Sequence, residues 1–378
     1  MVPVKFVIAP DKYKGSLSGA QFCNAVENGI LQVFPKSKII KKPLADGGDG
    51  TLEVVQQYLN ATLETVPVQD PLFREIDATY LLSQDKKTAY VEMSEASGYK
   101  LLEHSEMNCM HTTSLGTGQL IVNALDQGVQ KIILGIGGSA TNDGGMGLAQ
   151  ALGYRFYDGE NNPLEPVGKN LDKVQRIEKK HLHPRLKAVA VQVACDVNNP
   201  FYGAKGAAHI YGAQKGASPE EIEILDNGLR QFAQVIHLTF GLDVQEIPGA
   251  GAAGGMGAGA KVFMDAELTS GVDLMMELAN FKSAVVNADW IITGEGQLDG
   301  QTLSGKTING VLQVAASHKI PVAALCGSIT LTMDQIQDLG LQYAVSILNE
   351  VGDLEKAKSN SFSNLELASF NFARLLNH

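Results

Sequence analysis

A glycine-rich segment with several polar side chains, Gly135–Gly153, is the part of this sequence best suited to bind an anion. It follows Lys131–Leu134, an apolar run typical of a buried strand, and contains Met146–Leu152, whose apolar spacing predicts a helix. Backbone N–H groups between a strand and a helix N-terminus attract negative charge. The plainer alternative is a turn in which Asp143 caps the helix. We expect a phosphate to bind at four positions: Gly137, Gly138, Ser139 and Thr141.

Two further segments match phosphate-binding patterns. Gly249–Gly254 fits the dinucleotide pattern G-x-G-x-x-G, but it follows Pro248 and no clear strand precedes it. Gly300–Thr307 fits the P-loop pattern G-x-x-x-x-G-K-[ST], yet the strand predicted before it ends near Thr293, several residues too early. A P-loop fold is therefore disfavoured, although a helix that begins beside Lys306 still suits a phosphate. From these segments we predict three more phosphate-binding residues: Gly251, Gly254 and Lys306.

Carboxylates recur beside glycines where the predicted strands end. In such loops they bind Mg²⁺ or accept a proton from an attacking hydroxyl, although a single acid in a turn is more often a cap. These acids are Asp11, Asp46, Asp49, Asp143, Asp196, Glu295 and Asp299. Lysines in or beside similar loops, which offset phosphate or carboxylate charge, are Lys12, Lys14, Lys205, Lys215 and Lys306. As a set, these residues favour phosphoryl transfer.

The elements that position these loops alternate between strands and helices. Lys5–Ala9 predicts a strand, and Ser18 caps a predicted helix that extends through Phe34. A second strand, Lys38–Pro43, precedes the acidic loop Ala45–Thr51. Such βα units place their loops at the carboxyl ends of the strands, where open α/β sheets bind ligands.

The middle of the chain follows a different pattern. Three alternating strands predict a mixed sheet: Thr62–Pro67, Ala78–Leu82 and Thr88–Glu92. Further on we predict a strand over Leu186–Ala194, a helix over Ser218–Phe240 and another from about Lys261. The βα pattern returns at Ala288–Thr293. The sequence therefore predicts two α/β domains, a Rossmann-like domain from residues 1–70 and 287–378 and an inserted mixed α/β domain over residues 71–286.

Composition narrows the class of protein. The 378 residues carry a formal net charge of −11 and are 44% hydrophobic, with no apolar run near the ~18–20 residues of a membrane span. The negative charge argues against nucleic acid and anionic membranes as partners. Four cysteines without paired spacing, and an N-terminus without a signal pattern, predict a cytoplasmic protein with no structural zinc. A homodimer is compatible with the sequence.

Taken in order, several segments resemble glycerate kinases of the class I type. They are Ile8–Asp11 with Lys14–Ser18, Ala45–Thr51, Gly135–Gly153, Cys195–Val197 with Asn199–Pro200, Gln214–Ala217, Pro248–Gly255, Thr293–Gly296 with Asp299–Thr302, and Gly305–Lys306. The resemblance runs nearly end to end. It implies an ATP- and Mg²⁺-dependent kinase of D-glycerate, with its active site in the cleft between a Rossmann-like domain and an inserted α/β domain.

Three positions depart mildly from the family pattern. Tyr13 stands where the family usually has Phe, Lys12 where it often has Ser, and Asp49 where Glu is common. The charge of Lys12 leaves open whether the first loop binds the substrate more tightly here.

A glycerate substrate leads to roles for individual residues. Its carboxylate needs a cation or N–H donors, and we assign this task to Lys14 and Ser16, with Lys14 also counted as catalytic. Asp196, at the end of the predicted strand, is our candidate for the group that positions and deprotonates the attacking hydroxyl. Asp46 and Glu295 are assigned to Mg²⁺ or to substrate hydroxyls, with Glu295 also counted as catalytic. We favour phosphorylation at O2 of glycerate, with O3 as the alternative.

Two other classes of protein remain as alternatives. An NAD-dependent dehydrogenase of a small hydroxy acid would use the Gly135 turn, with Asp158 near the distance expected for a ribose-binding acid. No set of hydride-transfer residues accompanies that pattern. A non-catalytic binding protein for small carboxylates is the other.

Overall fold

The structure is a computed structural model that describes residues 3–11, 13, 15–45, 51–300 and 307–377. Strands and helices follow one another along the chain. The first part contains β1 (Lys5–Ile8), α1 (Gly19–Leu31), β2 (Lys38–Lys41) and α2 (Thr51–Leu59). The central part contains β3 (Thr62–Gln69), β4 (Glu75–Leu82), β5 (Thr88–Glu92), α3 (Ser94–Ser97), α4 (Leu115–Asp126), β6 (Lys131–Gly135), α5 (Met146–Ala151), β7 (Arg155–Tyr157), β8 (Arg176–Glu178), β9 (Ala190–Ala194), α6 (Ala207–Tyr211), α7 (Pro219–Phe240), α8 (Ala252–Met264) and β10 (Glu267–Thr269). The last part contains α9 (Gly271–Leu278), α10 (Phe281–Ala284), β11 (Trp290–Thr293), β12 (Gln297–Leu298), α11 (Thr307–His318), β13 (Val322–Cys326), β14 (Ser328–Ile329), α12 (Met333–Leu339), β15 (Tyr343–Ser346), α13 (Leu354–Ser359) and α14 (Ser361–Leu376).

The chain divides into two compact units. The first combines Met1–Tyr58 with Gly271–His378, and the second is Leu59–Ser270. Strand β3, which we placed in the discontinuous domain, pairs along its whole length with β4 and so belongs to the second unit. Helix α9, which we placed in the inserted domain, packs against α11 of the first unit. The predicted boundaries therefore lie about a dozen residues too late. The pairing of strands and the packing of helices determine the boundaries, and local sequence patterns contain no information about either.

The first unit is built on a parallel sheet with the strand order β15-β13-β11-β1-β2. Its core contains Phe6, Phe22, Leu325 and Phe372, and α1 packs against α14. The predicted cap of α1 is confirmed. Ser18 Oγ accepts the N–H of Gln21 at 3.2 Å and the Gln21 side chain accepts the N–H of Ser18, which satisfies two N-terminal donors of the helix.

The second unit contains a mixed sheet with the strand order β10-β9-β6-β5-β4-β3. Strands β5, β6, β9 and β10 are parallel, whereas β3 and β4 form an antiparallel hairpin that continues into β5. The carboxyl ends of β5, β6 and β9 therefore lie at one edge, where the glycine loop after Gly135 begins. The predicted α/β fold class, with a parallel and a mixed sheet, is confirmed.

Local signals succeed or fail for identifiable reasons. The predicted helix over Ser218–Phe240 is confirmed as α7, which Ser218 caps and which Gly241 ends in a left-handed conformation. Helix α8 contains left-handed residues at 253–255, so its regular helical turns begin at about Met256, five residues before the predicted Lys261. The predicted strand from Leu186 begins only at Ala190, after a 3₁₀ turn. None of the described helices is long and apolar enough to cross a membrane.

Candidate active site

The glycine loop of the second unit connects β6 to α5. Its tip, Gly137 and Gly138, is exposed, while Ser139 and the residues that follow are buried. The backbone is held against the segment after α3, since Tyr99 N–H donates to Gly138 O at 3.1 Å and Ala140 N–H donates to Ser97 O at 2.9 Å. Gly138 has φ of +69°, a conformation that favours glycine. The loop is therefore fixed in shape, with its tip accessible.

The N–H groups of this loop are mostly unpaired. Among the described residues, no oxygen accepts from the N–H groups of Gly137, Gly138, Ser139, Thr141, Asn142 and Asp143. Unpaired N–H groups at a strand-to-helix turn are the donors that bind phosphate oxygens. Four of these positions are the phosphate-binding residues predicted from the sequence.

A buried lysine donates hydrogen bonds to the loop. Lys215, in a 3₁₀ turn after α6, is 4% exposed, and its Nζ donates to Ser139 Oγ and to the Thr141 carbonyl, both at 2.7 Å. Burial lowers the pKa of the Lys215 ammonium to about 8, while the charges of Cys109 and Asp143 oppose this shift. Lys215 thus brings a positive charge to the loop.

The second glycine segment contacts the first. Gly144 N–H donates to Gly254 O at 3.0 Å, and a Cβ at Gly254 would lie only 2.0 Å from the Thr141 carbonyl oxygen. This close approach, together with a φ of +71°, requires glycine at position 254. The structure therefore brings together two of the three segments that we predicted to bind phosphate.

The loop after β9 also reaches this region. Gly251 N–H donates to Asn199 O at 3.0 Å, and Asn199 is three residues beyond Asp196. Asp196 itself is exposed. The structure thus places Asp196 in the loop that contacts the second glycine segment.

Asp143, one of the loop acids singled out from the sequence, holds the backbone of the loop in place. Its carboxylate accepts from Ser114 N, Ser114 Oγ, Gly145 N and Gly147 N. Burial raises its pKa, although these four hydrogen bonds oppose the shift. The helix cap that we considered is also different, because Gly145 occupies the N-cap position of α5.

The first unit brings its own acids together. Asp11 follows β1 and Glu295 follows β11, and Asp11 N–H donates to Gly294 O at 2.9 Å. Thr307 Oγ1, at the start of α11, donates to Asp11 Oδ2 at 2.7 Å. Glu295 is half-buried. Of the other predicted site residues, Lys14, Asp46 and Lys306 lie outside the described residues. Among those that are described, no group of three His, Cys, Asp or Glu side chains forms a metal cluster.

A cavity of about 460 Å³ lies beside the first loop of this unit. Asp11, Ser16 and Glu53 line it, together with the first turn of α1. The Ser16 hydroxyl donates to the Lys358 carbonyl at 3.1 Å and also contacts Ser361 Oγ. Ser16 therefore lines a space large enough for a small ligand, but its hydroxyl has partners within the protein.

Sequence reasoning missed Glu92, the last residue of β5. Tyr90 donates a hydrogen bond to its Oε1, and burial raises the pKa of Glu92 to about 7. A Cβ at Gly135 would lie 2.6 Å from Glu92 Oε2, so the carboxyl group covers the residue where the glycine loop begins. The sequence feature that could have identified Glu92 is a carboxylate at the end of a strand, beside a glycine of the neighbouring strand.

Asp158, the acid that a dehydrogenase would use to bind the ribose, has another role in the structure. Asp158 accepts from the N–H groups of Glu160 and Asn162, and so closes the turn after β7. A carboxylate used in this way is a turn residue.

Comparison with known proteins agrees with the resemblance seen in the motifs. Residues 6–377 match the model of the glycerate kinase family. A glycerate kinase from Halalkalibacterium halodurans is 44% identical over 367 residues, which is 97% of each chain. The glycerate 2-kinase of Escherichia coli is 41% identical over 373 residues, 99% of this chain and 98% of that relative. The crystal structure of a glycerate kinase 2 candidate from Salmonella typhimurium LT2 matches with a TM-score of 0.90 and 40% identity, over 99% of this chain and 98% of the other. The chain therefore belongs to the glycerate kinase family, which are phosphotransferases with an alcohol group as acceptor.

Proposed function

We propose that this protein transfers the γ-phosphoryl group of ATP to O2 of D-glycerate, giving ADP and 2-phosphoglycerate. The observation that carries the proposal is the loop Gly137–Asp143, where unpaired N–H groups lie above a buried lysine in a chain that belongs to this family. The similarity to a glycerate 2-kinase favours O2 over O3. That the reaction takes place in a cleft between two domains stays a prediction.

The nucleotide phosphates are assigned to the two glycine segments of the second unit. Gly137, Gly138, Ser139 and Thr141 supply N–H groups, and Gly251 and Gly254 allow the neighbouring segment to approach closely. Lys306 is proposed as a further phosphate contact from the sequence. Residues without side chains suit this task, because they let phosphate oxygens reach the backbone.

Asp196 is proposed as the proton acceptor. It is exposed at the end of a buried strand, so it can meet a hydroxyl of the substrate. As the bond between O2 and the γ-phosphorus forms, the bond from that phosphorus to the leaving oxygen of ADP breaks, and the hydroxyl proton passes to the Asp196 carboxylate. Lys14 and Ser16 are proposed to bind the glycerate carboxylate.

Glu295 and Asp46 are proposed to hold Mg²⁺. Half-buried carboxylate oxygens such as those of Glu295 are the ligands that this ion prefers. Held there, Mg²⁺ would supply positive charge to offset the negative charge of the phosphate oxygens.

Phosphorus NMR of the product tests the reaction. Purified protein with ATP, Mg²⁺ and D-glycerate should produce ADP together with the resonance of 2-phosphoglycerate. A resonance of 3-phosphoglycerate would show that O3, and not O2, is phosphorylated. Saturable NADH binding without ATP binding would favour the dehydrogenase, and glycerate binding without ADP release would favour the non-catalytic alternative.

A further inference from the structure

Three buried polar atoms beside Lys215 have no partner. Among the described residues, Thr141 Oγ1 and both Oδ1 and Nδ2 of Asn142 make no hydrogen bond, although both residues are fully buried. Buried polar groups are paired in more than about nine cases in ten, since an unpaired one costs free energy. Three orphaned atoms on two adjacent residues therefore point to a partner that binds there.

Lys215 itself is incompletely satisfied. Its ammonium group has three donors, and two of them reach Ser139 Oγ and the Thr141 carbonyl. Within the part of the chain described, no carboxylate forms an ion pair with it. A buried ammonium group without a carboxylate in direct contact is costly, and an anion bound at this position would lower that cost.

Of the titratable groups described around Lys215, only the Asp143 carboxylate offsets its charge, and it makes no hydrogen bond or ion pair with the ammonium group. Burial raises the pKa of the Cys109 thiol to about 11, which keeps the thiol neutral at physiological pH. The Asp143 carboxylate is occupied by its four donors. Lys215 and the unpaired N–H groups above it thus form a set of donors that lacks its acceptor.

We propose that Lys215 binds a phosphoryl oxygen of the nucleotide in the Gly137–Asp143 loop, and that this binding takes up a proton. The inference rests on the proposed function, because it assigns the counter-charge of that same phosphate site. Thr141 Oγ1 and the Asn142 amide complete the set of donors. A lysine that only fixes the loop would make no such proton linkage.

Isothermal titration of the wild-type protein with ADP, at pH 8 in two buffers of different ionisation enthalpy, measures the proton uptake. Since burial lowers the pKa of Lys215 to about 8, part of the population is neutral at this pH, and we expect a fractional, pH-dependent uptake of protons per ADP. Titration with D-glycerate should show no uptake. If protons are taken up with D-glycerate and not with ADP, Lys215 binds the carboxylate of the substrate instead of a phosphoryl oxygen, and the assignment is overturned.

Three variants separate a role in binding from a role in structure. Lys215→Arg keeps its charge at pH 8 and should bind ADP without the Lys215-dependent uptake. Lys215→Met lacks the charge and should bind ADP about 10–100-fold more weakly. Lys187→Met, which changes an exposed lysine of the same unit, should match the wild type. Unchanged uptake in Lys215→Arg overturns the inference, and so does an absence of uptake in the wild type.

The outcomes also distinguish this inference from the proposed function. A wild-type protein that makes 2-phosphoglycerate but shows no uptake leaves the kinase intact and removes only the role of Lys215. A protein that makes no phosphoglycerate contradicts the proposed function, whatever the titration shows. If the Lys215 variants fail to fold, the wild-type titration repeated at pH 6.5, 8 and 9 still decides, because uptake by Lys215 must be greater at pH 8 than at pH 6.5.

Discussion

Asp143 and Ser114 are joined by two hydrogen bonds to one carboxylate oxygen, since Asp143 Oδ2 accepts the Ser114 N–H at 2.8 Å and the Ser114 hydroxyl at 2.7 Å. The Ser114 hydroxyl in turn accepts the N–H of Leu148 at 3.0 Å. This pair therefore links the N-terminus of α4 to that of α5. The glycine loop therefore obtains its fixed shape from the hydrogen bonds of a buried acid.

Asp143→Asn should lower the free energy of unfolding by about 2–4 kcal/mol, because the amide turns a donor toward N–H groups that need an acceptor. Urea unfolding measures the change. Asp158→Asn, in an exposed turn, is the matched control and should have a much smaller effect. Normal stability together with lost turnover in Asp143→Asn would instead make Asp143 catalytic.

Gly138→Ala should raise the KM for ATP at least tenfold. The new Cβ would lie 3.2 Å from Ser94 Cβ at a φ of +69°, so the tip of the loop must move. Gly241→Ala is the control, because its φ is +71° and its Cβ would meet no atom within 4 Å. Both variants bear the left-handed strain of about 1 kcal/mol, and steady-state kinetics isolates the effect of the loop. Equal ATP kinetics in the two variants would remove Gly138 from the nucleotide site.

Asp196→Asn should reduce kcat about 10²–10⁴-fold and leave the KM for ATP nearly unchanged, as expected for the loss of a proton acceptor. Asp172→Asn, at another exposed aspartate of the same unit, should retain full activity. A kcat within a few-fold of the wild type would exclude Asp196 as the base and make Glu295 the next candidate.

Glu92→Gln should stabilise the protein, and more so at high pH. The pKa of Glu92 is raised from about 4.5 in the unfolded chain to about 7 in the folded protein. Between pH 4.5 and pH 7 the folded protein therefore binds a proton that the unfolded chain has lost. The stability that this proton supplies is present below about pH 4.5 and is lost as the pH rises through 7. Because glutamine stays neutral, the free energy of unfolding of Glu92→Gln should exceed that of the wild type by up to about 3 kcal/mol at pH 8.5. The difference should be small at pH 4.5.

Thermal unfolding at both pH values measures this difference, with Glu160→Gln as an exposed control. A shift in melting temperature that is equal at the two pH values would show that Glu92 is not buried in its neutral form.

Sequence reasoning succeeded where the signal is local. Ser218 and Pro219 lie at the start of the helix that they delimit, so the predicted range Ser218–Phe240 differs from α7 by one residue. The start of helix α8 was predicted less well, because Ala253 adopts a left-handed conformation that an alanine in the sequence does not signal.

The candidate site divides in the same way. The glycine loop was visible as a motif, but its link to Lys215 joins residues 74 and 76 positions apart. Burial decides the state of Lys215 and Glu92, and burial depends on the completed fold. The sequence pattern of a single strand or loop contains no record of it.

The pairing of β1 with β11 has a consequence for how the protein is made. Lys5 N–H donates to the Asp289 carboxylate, across 284 positions of sequence. At about 5–20 residues per second, a ribosome needs roughly 15–60 s between these two points. The second unit is complete within that interval and is free to fold first. During the same time β1 waits with one edge unpaired, exposed to chaperones and to the strands of neighbouring nascent chains.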